Sequence, residues 1–124
     1  MFITLEGTEG VGKSTLISSL KKYFIEKEID FIFTKEPGGT PEGNEIRNIL
    51  LDRSMKLEPY AETLLLLADR VQHVNKIIKP ALEKNKNIFS DRYIDSTYAY
   101  QGAGRGISQD DLDNFINVLD FPIP

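Results

Sequence analysis

A chain of 124 residues has room for one domain and not for two. Its net charge of -4, from 15 basic and 19 acidic residues, is the reverse of the basic excess of proteins that bind nucleic-acid polymers, while leaving anionic small molecules open. Without cysteine there is no disulfide framework or thiolate metal site, and the longest aliphatic run, Leu64 to Ala68, is far short of a membrane span.

Phe2 to Leu5 reads as a buried strand that runs into a Gly-rich loop. The N-terminal residues carry no basic region ahead of the apolar run, so no signal peptide is read and the expected compartment is the cytoplasm. From Ser14 the period changes to that of a helix, with Leu16, Ile17, Leu20 and Phe24 on one face. Phe31 to Thr34 is a second strand, ended by the turn Pro37-Gly38-Gly39. A short helix is expected over Glu45 to Leu51. A longer one starts at Glu58-Pro59, with proline in the first turn, and stops near Lys79 before Pro80. Asn87 to Ser90 is a third strand leading into Asp91-Arg92-Tyr93. Ser108 and Asp111 form an S-x-x-D cap for a last helix carrying Leu112, Phe115, Ile116 and Leu119.

Alternating strands and helices imply an α/β fold, a parallel sheet flanked by helices in three layers. Residues 1–124 form a single domain in this reading. Three strands leave an edge unpaired and apolar surface uncovered, so further strands and a lid are expected beyond the C-terminus of this chain.

Gly7-Thr8-Glu9-Gly10-Val11-Gly12-Lys13-Ser14 fits G-x-x-x-x-G-K-[ST] in full, between a strand and a helix. Glycines let the backbone curl so that successive N–H groups converge on phosphate oxygens, and the following helix adds the positive end of its dipole. Lys13 suits the β- and γ-phosphates, and the Ser14 hydroxyl suits Mg²⁺. A chance match is expected in roughly one chain in 200 of this composition, which leaves a phosphate loop as the reading. Residues Gly7 to Ser14, with Thr15, are therefore the expected ATP-binding set. A GTPase would need a base-reading N-K-x-D, and Asn75-Lys76-Ile77-Ile78 lacks its aspartate. A small-molecule kinase needs instead a second, arginine-bearing phosphate pocket.

Further segments supply that pocket: Thr34-Lys35-Glu36-Pro37-Gly38-Gly39-Thr40, Ala68-Asp69-Arg70, Asp91-Arg92-Tyr93 with Ser96, and Tyr100-Gln101-Gly102-Ala103-Gly104-Arg105-Gly106. In this order and spacing they resemble the thymidylate kinase family over essentially the whole chain. The E-P-G-G-T segment beside a phosphate loop is highly specific; D-R-Y alone is weak. The resemblance implies transfer of the γ-phosphate of ATP to dTMP, with Mg²⁺ as cofactor and Lys13, Arg92 and Glu9 as the catalytic set. It assigns Asp91 with Ser14 to the metal, and Arg92 and Arg47 to the acceptor phosphate, where a planar guanidinium fork suits the task. Glu9, an acid inside a phosphate cradle, is assigned to the sugar 3′-hydroxyl and metal shell of the acceptor. Arg70 is matched with the arginine that bonds thymine O4, Ser96 and Thr97 with the base edge, Tyr100 with the residue that excludes a ribose 2′-hydroxyl, and Gln101 with a base contact. Glu36 and Pro37 complete the acceptor set.

The sequence departs from the family pattern at Leu66, where a phenylalanine usually stacks on the base. Lys35 is often arginine in the family. Gly10 stands where one subgroup has an arginine in the loop, and the other subgroup draws that cation from a lid. His73 is read as no more than a polar residue on the long helix. The resemblance implies a homodimer, as family members typically are, with the helix from about Pro59 to Lys79 as the expected interface. Two rivals stand beside this reading: a different P-loop nucleotide or nucleoside kinase, using Glu36 or Asp91 as a base for a 5′-hydroxyl, or a catalytically inert nucleotide-binding fragment.

Overall fold

The computed structural model describes all residues, Met1–Pro124. The three expected strands form, as β1 (Phe2–Leu5), β2 (Phe31–Lys35) and β3 (Asn87–Asp91). They make one parallel sheet in the order β1-β3-β2, so the last strand in sequence is the central one. Its register pairs Phe2 with Ile88 and Leu5 with Asp91 on one side, and Phe31 with Asn87 and Lys35 with Asp91 on the other. Leu5, Asp91 and Lys35 thus end the three strands in one row. A parallel sheet offers its C-terminal edge to ligands, and every loop discussed below leaves from that row.

Helix α1 (Lys13–Glu26) follows the loop after β1. Of its predicted apolar face, Ile17, Leu20 and Phe24 are half-buried and Leu16 is exposed. Phe24 stacks on Phe31 at 4.3 Å between ring centroids, and Phe33 continues the aromatic row to Phe89 at 5.5 Å. The other face of the sheet carries the main core, in which Phe2, Ile88, Tyr93 and Ile94 pack with Leu67, Val74, Ile78, Ala81 and Phe121. No helix is long and apolar enough to cross a membrane.

Two helix boundaries differ from the sequence expectation. Helix α2 covers Pro41–Leu51, four residues more than the predicted Glu45–Leu51. Thr40 caps it by accepting the Gly43 N–H at 3.0 Å, and Pro41 occupies the first turn, where its missing N–H is harmless. The long helix does not stop before Pro80. It runs as α3 (Pro59–His73), a π-helical turn (Val74–Ile78) and α4 (Lys79–Glu83). The wider turn, in which the Lys79 N–H bonds to the Val74 carbonyl five residues back, lets the chain carry a proline that an α-helical ladder would reject.

After β3 the chain forms a short helix α5 (Ile94–Thr97) and a second π-helical turn (Tyr98–Gly104). The predicted last helix is α6 (Gln109–Leu119), capped by Ser108, whose Oγ accepts the Asp111 N–H at 3.2 Å. Leu112 anchors it with no exposed surface.

Candidate active site

The loop between β1 and α1 turns through Gly10 (φ 81°) and Gly12 (φ 91°), both in the left-handed region that side chains resist. Gly12 ends the loop as the N-cap of α1 without a side-chain cap. The first-turn N–H groups of α1 are therefore free of any capping oxygen, as an anion site requires. Beside them opens a cleft of about 710 Å³ lined by Thr8, Glu9, Gly10, Gly12, Lys13, Ser14 and Thr15 on one side. Lys35, Glu36, Pro37, Arg47, Leu51, Asp91 and Arg92 form the other side. Of the expected ATP-binding residues only Gly7 and Val11 lie outside this lining, and Val11 is 64% exposed. Within the cleft Lys13 Nζ forms an ion pair with Asp91 Oδ1.

A second cavity of about 250 Å³ adjoins the first, lined by Leu66, Asp69, Arg70, Ser96, Thr97, Tyr100, Gln101 and Glu62. Glu36, Pro37 and Arg92 belong to both linings. Arg92 stands at the junction in a left-handed conformation, φ 74°, unusual for a long side chain. Both of its backbone groups are held. Its N–H donates to the Leu5 carbonyl at 3.0 Å, and its carbonyl accepts from the Ser90 hydroxyl at 2.8 Å. The guanidinium lies over the Tyr100 ring, 5.2 Å from the centroid, and the Tyr100 hydroxyl donates to the Gly7 carbonyl at 3.3 Å. Arg47 reaches in from α2 and donates to the Pro37 carbonyl at 3.3 Å.

In the second cavity Arg70 is only 3% exposed. Its Nε donates to Glu36 Oε2 at 2.7 Å, Nη1 to Thr97 Oγ1 at 2.9 Å and Nη2 to the Tyr93 carbonyl at 2.7 Å. A guanidinium has five N–H donors, so these three bonds leave two uncommitted. Gln101 is buried and donates to Glu62 Oε1 at 3.0 Å. Ser96 lines the cavity but its hydroxyl donates to Glu6, a residue the sequence reading did not single out. Leu66 supplies the apolar wall where the family pattern has an aromatic ring.

Besides Glu62 on the wall of the second cavity, three further residues in or beside the site were missed. His73 is not a bland helix residue: it has no exposed surface, with Nδ1 on Glu36 Oε1 at 2.7 Å and Nε2 paired with Thr34 Oγ1 at 2.6 Å. Both carboxylate oxygens of Glu36 thus accept a hydrogen bond, one from Arg70 and one from His73. Asp69, also fully buried, accepts the Gly38 N–H at 2.9 Å through Oδ1, while Oδ2 has no partner. Burial, reinforced by nearby Glu36 and opposed by the Gly38 bond, raises its carboxyl to about 6. Leu51, at the end of α2, closes the large cleft. An i, i+1, i+4 set of polar residues on a helix, Asp69, Arg70 and His73, was the available signal for the first two; nothing in the sequence marks Leu51.

A family model described as thymidylate kinase matches residues 5–115. The thymidylate kinase of Halothermothrix orenii is 56% identical over 110 residues, covering 89% of this chain and 53% of that protein. That of Carboxydothermus hydrogenoformans is 53% identical over 115 residues, covering 93% of this chain and 57% of that protein. The crystal structure of thymidylate kinase from Ehrlichia chaffeensis superposes with a TM-score of 0.90 at 40% identity, over 100% of this chain and 68% of that one. This chain spans about half the length of the curated relatives it matches.

Proposed function

The chain belongs to the thymidylate kinase family, and on that premise we propose that it transfers the γ-phosphate of ATP to dTMP, giving dTDP and ADP, in the cytoplasm. One observation carries this reading: Glu36, Pro37 and Arg92 wall both a phosphate-loop cleft and a second, partly apolar cavity. Such a junction suits two nucleotides meeting phosphate to phosphate.

ATP phosphates would lie on the loop and the start of α1, with Lys13 exchanging Asp91 for the β- and γ-oxygens. The donor set fits Mg²⁺. Ser14 and Asp91 bring a hydroxyl and a carboxylate to one cleft, hard oxygens of the kind that hold the ion together with substrate phosphates. No cluster of three or more His, Cys, Asp or Glu side chains gathers into a self-sufficient metal cage, and an ion shared with phosphates needs none. When bound, Mg²⁺ supplies charge neutralisation at the phosphates.

The acceptor phosphate would lie against Arg92 and Arg47, opposite the γ-phosphate. Two anions must be brought into contact, and these cations offset their repulsion. A phosphate oxygen is already deprotonated at neutral pH, so no general base is required, and positioning with electrostatics carries the acceleration. Glu9, exposed on the loop, would meet the sugar hydroxyl. The thymine ring would enter the second cavity against Leu66, with the two uncommitted Arg70 donors for its carbonyl and Ser96, Thr97 and Gln101 around its edge. Tyr100, fixed between Arg92 and Gly7, would crowd a ribose 2′-hydroxyl. Exposed Tyr60 and Leu64, one turn apart on α3, support a homodimer formed through this helix.

Replacing Lys13 by alanine tests the phosphate-loop assignment. Acceptor-dependent ADP release should fall at least a hundredfold, as expected for loss of a preorganised cation at the transferring group. Undiminished release would remove the loop from the mechanism.

A further inference from the structure

Behind the second cavity runs a line of hydrogen bonds, buried except at its half-buried Thr34 end: Thr34 to His73, His73 to Glu36, Glu36 to Arg70, and Arg70 to Thr97. It joins β2, α3 and α5. His73 lines neither cavity, so any influence it has on a bound nucleotide must pass through a neighbour. We propose that His73 is a positioning residue for the acceptor: by holding Glu36 it fixes the guanidinium of Arg70 and thereby the donors offered to the base. The inference rests on the acceptor reading given above.

Glu36 stands immediately after β2, on a segment whose backbone is shaped by other bonds. A carboxylate held at one oxygen turns about its side-chain torsions. Held at both oxygens by donors one helical turn apart on α3, it becomes a fixed plate. Because Glu36 Oε1 accepts, the hydrogen sits on His73 Nδ1, and Nε2 is left to face Thr34. The ring has no freedom of its own. It is fully buried, and a Cβ added at Gly39 would lie 2.7 Å from its Cδ2, which shows how closely the Gly38-Gly39 backbone covers it. On the far side, the Arg70 guanidinium rests over Tyr93 and Phe121, with centroids at 5.2 and 5.8 Å. These rings fix the height of the guanidinium, and the Glu36 bond to Nε fixes its rotation in the plane together with the Thr97 and Tyr93 bonds. Without the His73 donor, one Glu36 oxygen would be left buried and unpaired, and the carboxylate would turn to recover a donor, carrying Arg70 with it. Second-tier hydrogen bonds of this kind orient groups that contact the ligand directly.

The two amide replacements separate the two ring nitrogens. His73→Asn places an N–H near Nδ1 and keeps the donor to Glu36. His73→Gln places its amide near Nε2, keeps the Thr34 side and loses Glu36. His73→Leu loses both; should it fail to fold, the amide pair carries the test. On the purified chain, calorimetric titration gives Kd for dTMP and for MgATP, and the ¹⁵N-detected Nε–H resonance of Arg70 reports its bond to Glu36 without any ligand. We expect His73→Gln to weaken dTMP on the order of tenfold with MgATP within about twofold, and to shift the Arg70 resonance, while His73→Asn stays near the parent. An unmoved Arg70 resonance in His73→Gln overturns the inference. So does parallel weakening of dTMP and MgATP, which would mark a general loss of structure. A parent chain that fails to bind dTMP would refute the acceptor reading, and the Arg70 resonance would still decide whether His73 positions that side chain.

Discussion

Replacing Asp69 by asparagine should flatten the pH dependence of stability in a defined window. The carboxyl is fully buried, has one oxygen on the Gly38 N–H and the other unpaired, and its pKa is raised from 3.8 to about 6. The folded state therefore holds this proton more tightly than the unfolded chain. Stability from this group is fully present below the unfolded pKa and is lost as pH rises through the folded one. For pKa values of 3.8 and about 6, the loss between about pH 4.5 and pH 7.5 is about 2 kcal/mol. Asparagine keeps an oxygen for Gly38 but has no proton to lose. The lowered carboxyls of Glu42, Asp52 and Asp111 have the opposite sign, since they favour the folded state until pH falls into the range of their own protonation. They are common to both proteins and cancel in the comparison. Urea unfolding at the two pH values, for parent and variant, yields the difference directly. The variant should gain about 2 kcal/mol relative to the parent on going from the acid to the alkaline condition. A difference that does not change with pH would show that Asp69 is ordinarily ionised in the fold, and the account of its burial would be wrong.

Ser90→Ala removes the hydroxyl that holds the Arg92 carbonyl at 2.8 Å. It should destabilise the chain by about 1–3 kcal/mol and raise the KM for dTMP more than that for ATP, because the left-handed Arg92 loses a restraint; steady-state kinetics with KM unchanged for both would refute this. Arg70→Lys keeps a positive charge beside Glu36 but loses the planar fork, so preference for dTMP over dCMP should fall about tenfold, read as a ratio of kcat/KM values. Equal losses for both acceptors would remove the base-reading role.

What was legible in the sequence follows from the range of the interactions involved. The phosphate loop is a local device, with glycines, lysine and serine fixed by the shape of one turn, and the α/β alternation followed from hydrophobic period alone. Thr40 and Pro41 carried a readable helix start, and Gly43 in its first turn is required because a side chain there would strike Asp69: an added Cβ lies 2.3 Å from Oδ1. Pro80 misled in the other direction, since the π-helical turn that precedes it leaves no local mark in the sequence. His73 was undervalued for the same reason. Its partners, Thr34 and Glu36, lie 39 and 37 residues away in sequence. The central place of β3 likewise emerges only on pairing, and it brings Asp91 into the same row as Leu5 and Lys35.

The most direct measurement is ADP release by the purified chain with MgATP, comparing dTMP with dUMP, dCMP, dAMP and thymidine as acceptors. Turnover that requires a monophosphate and is fastest with dTMP is what the two joined cavities predict. Turnover with thymidine in place of dTMP, or turnover no faster with dTMP than with the other monophosphates, would contradict it.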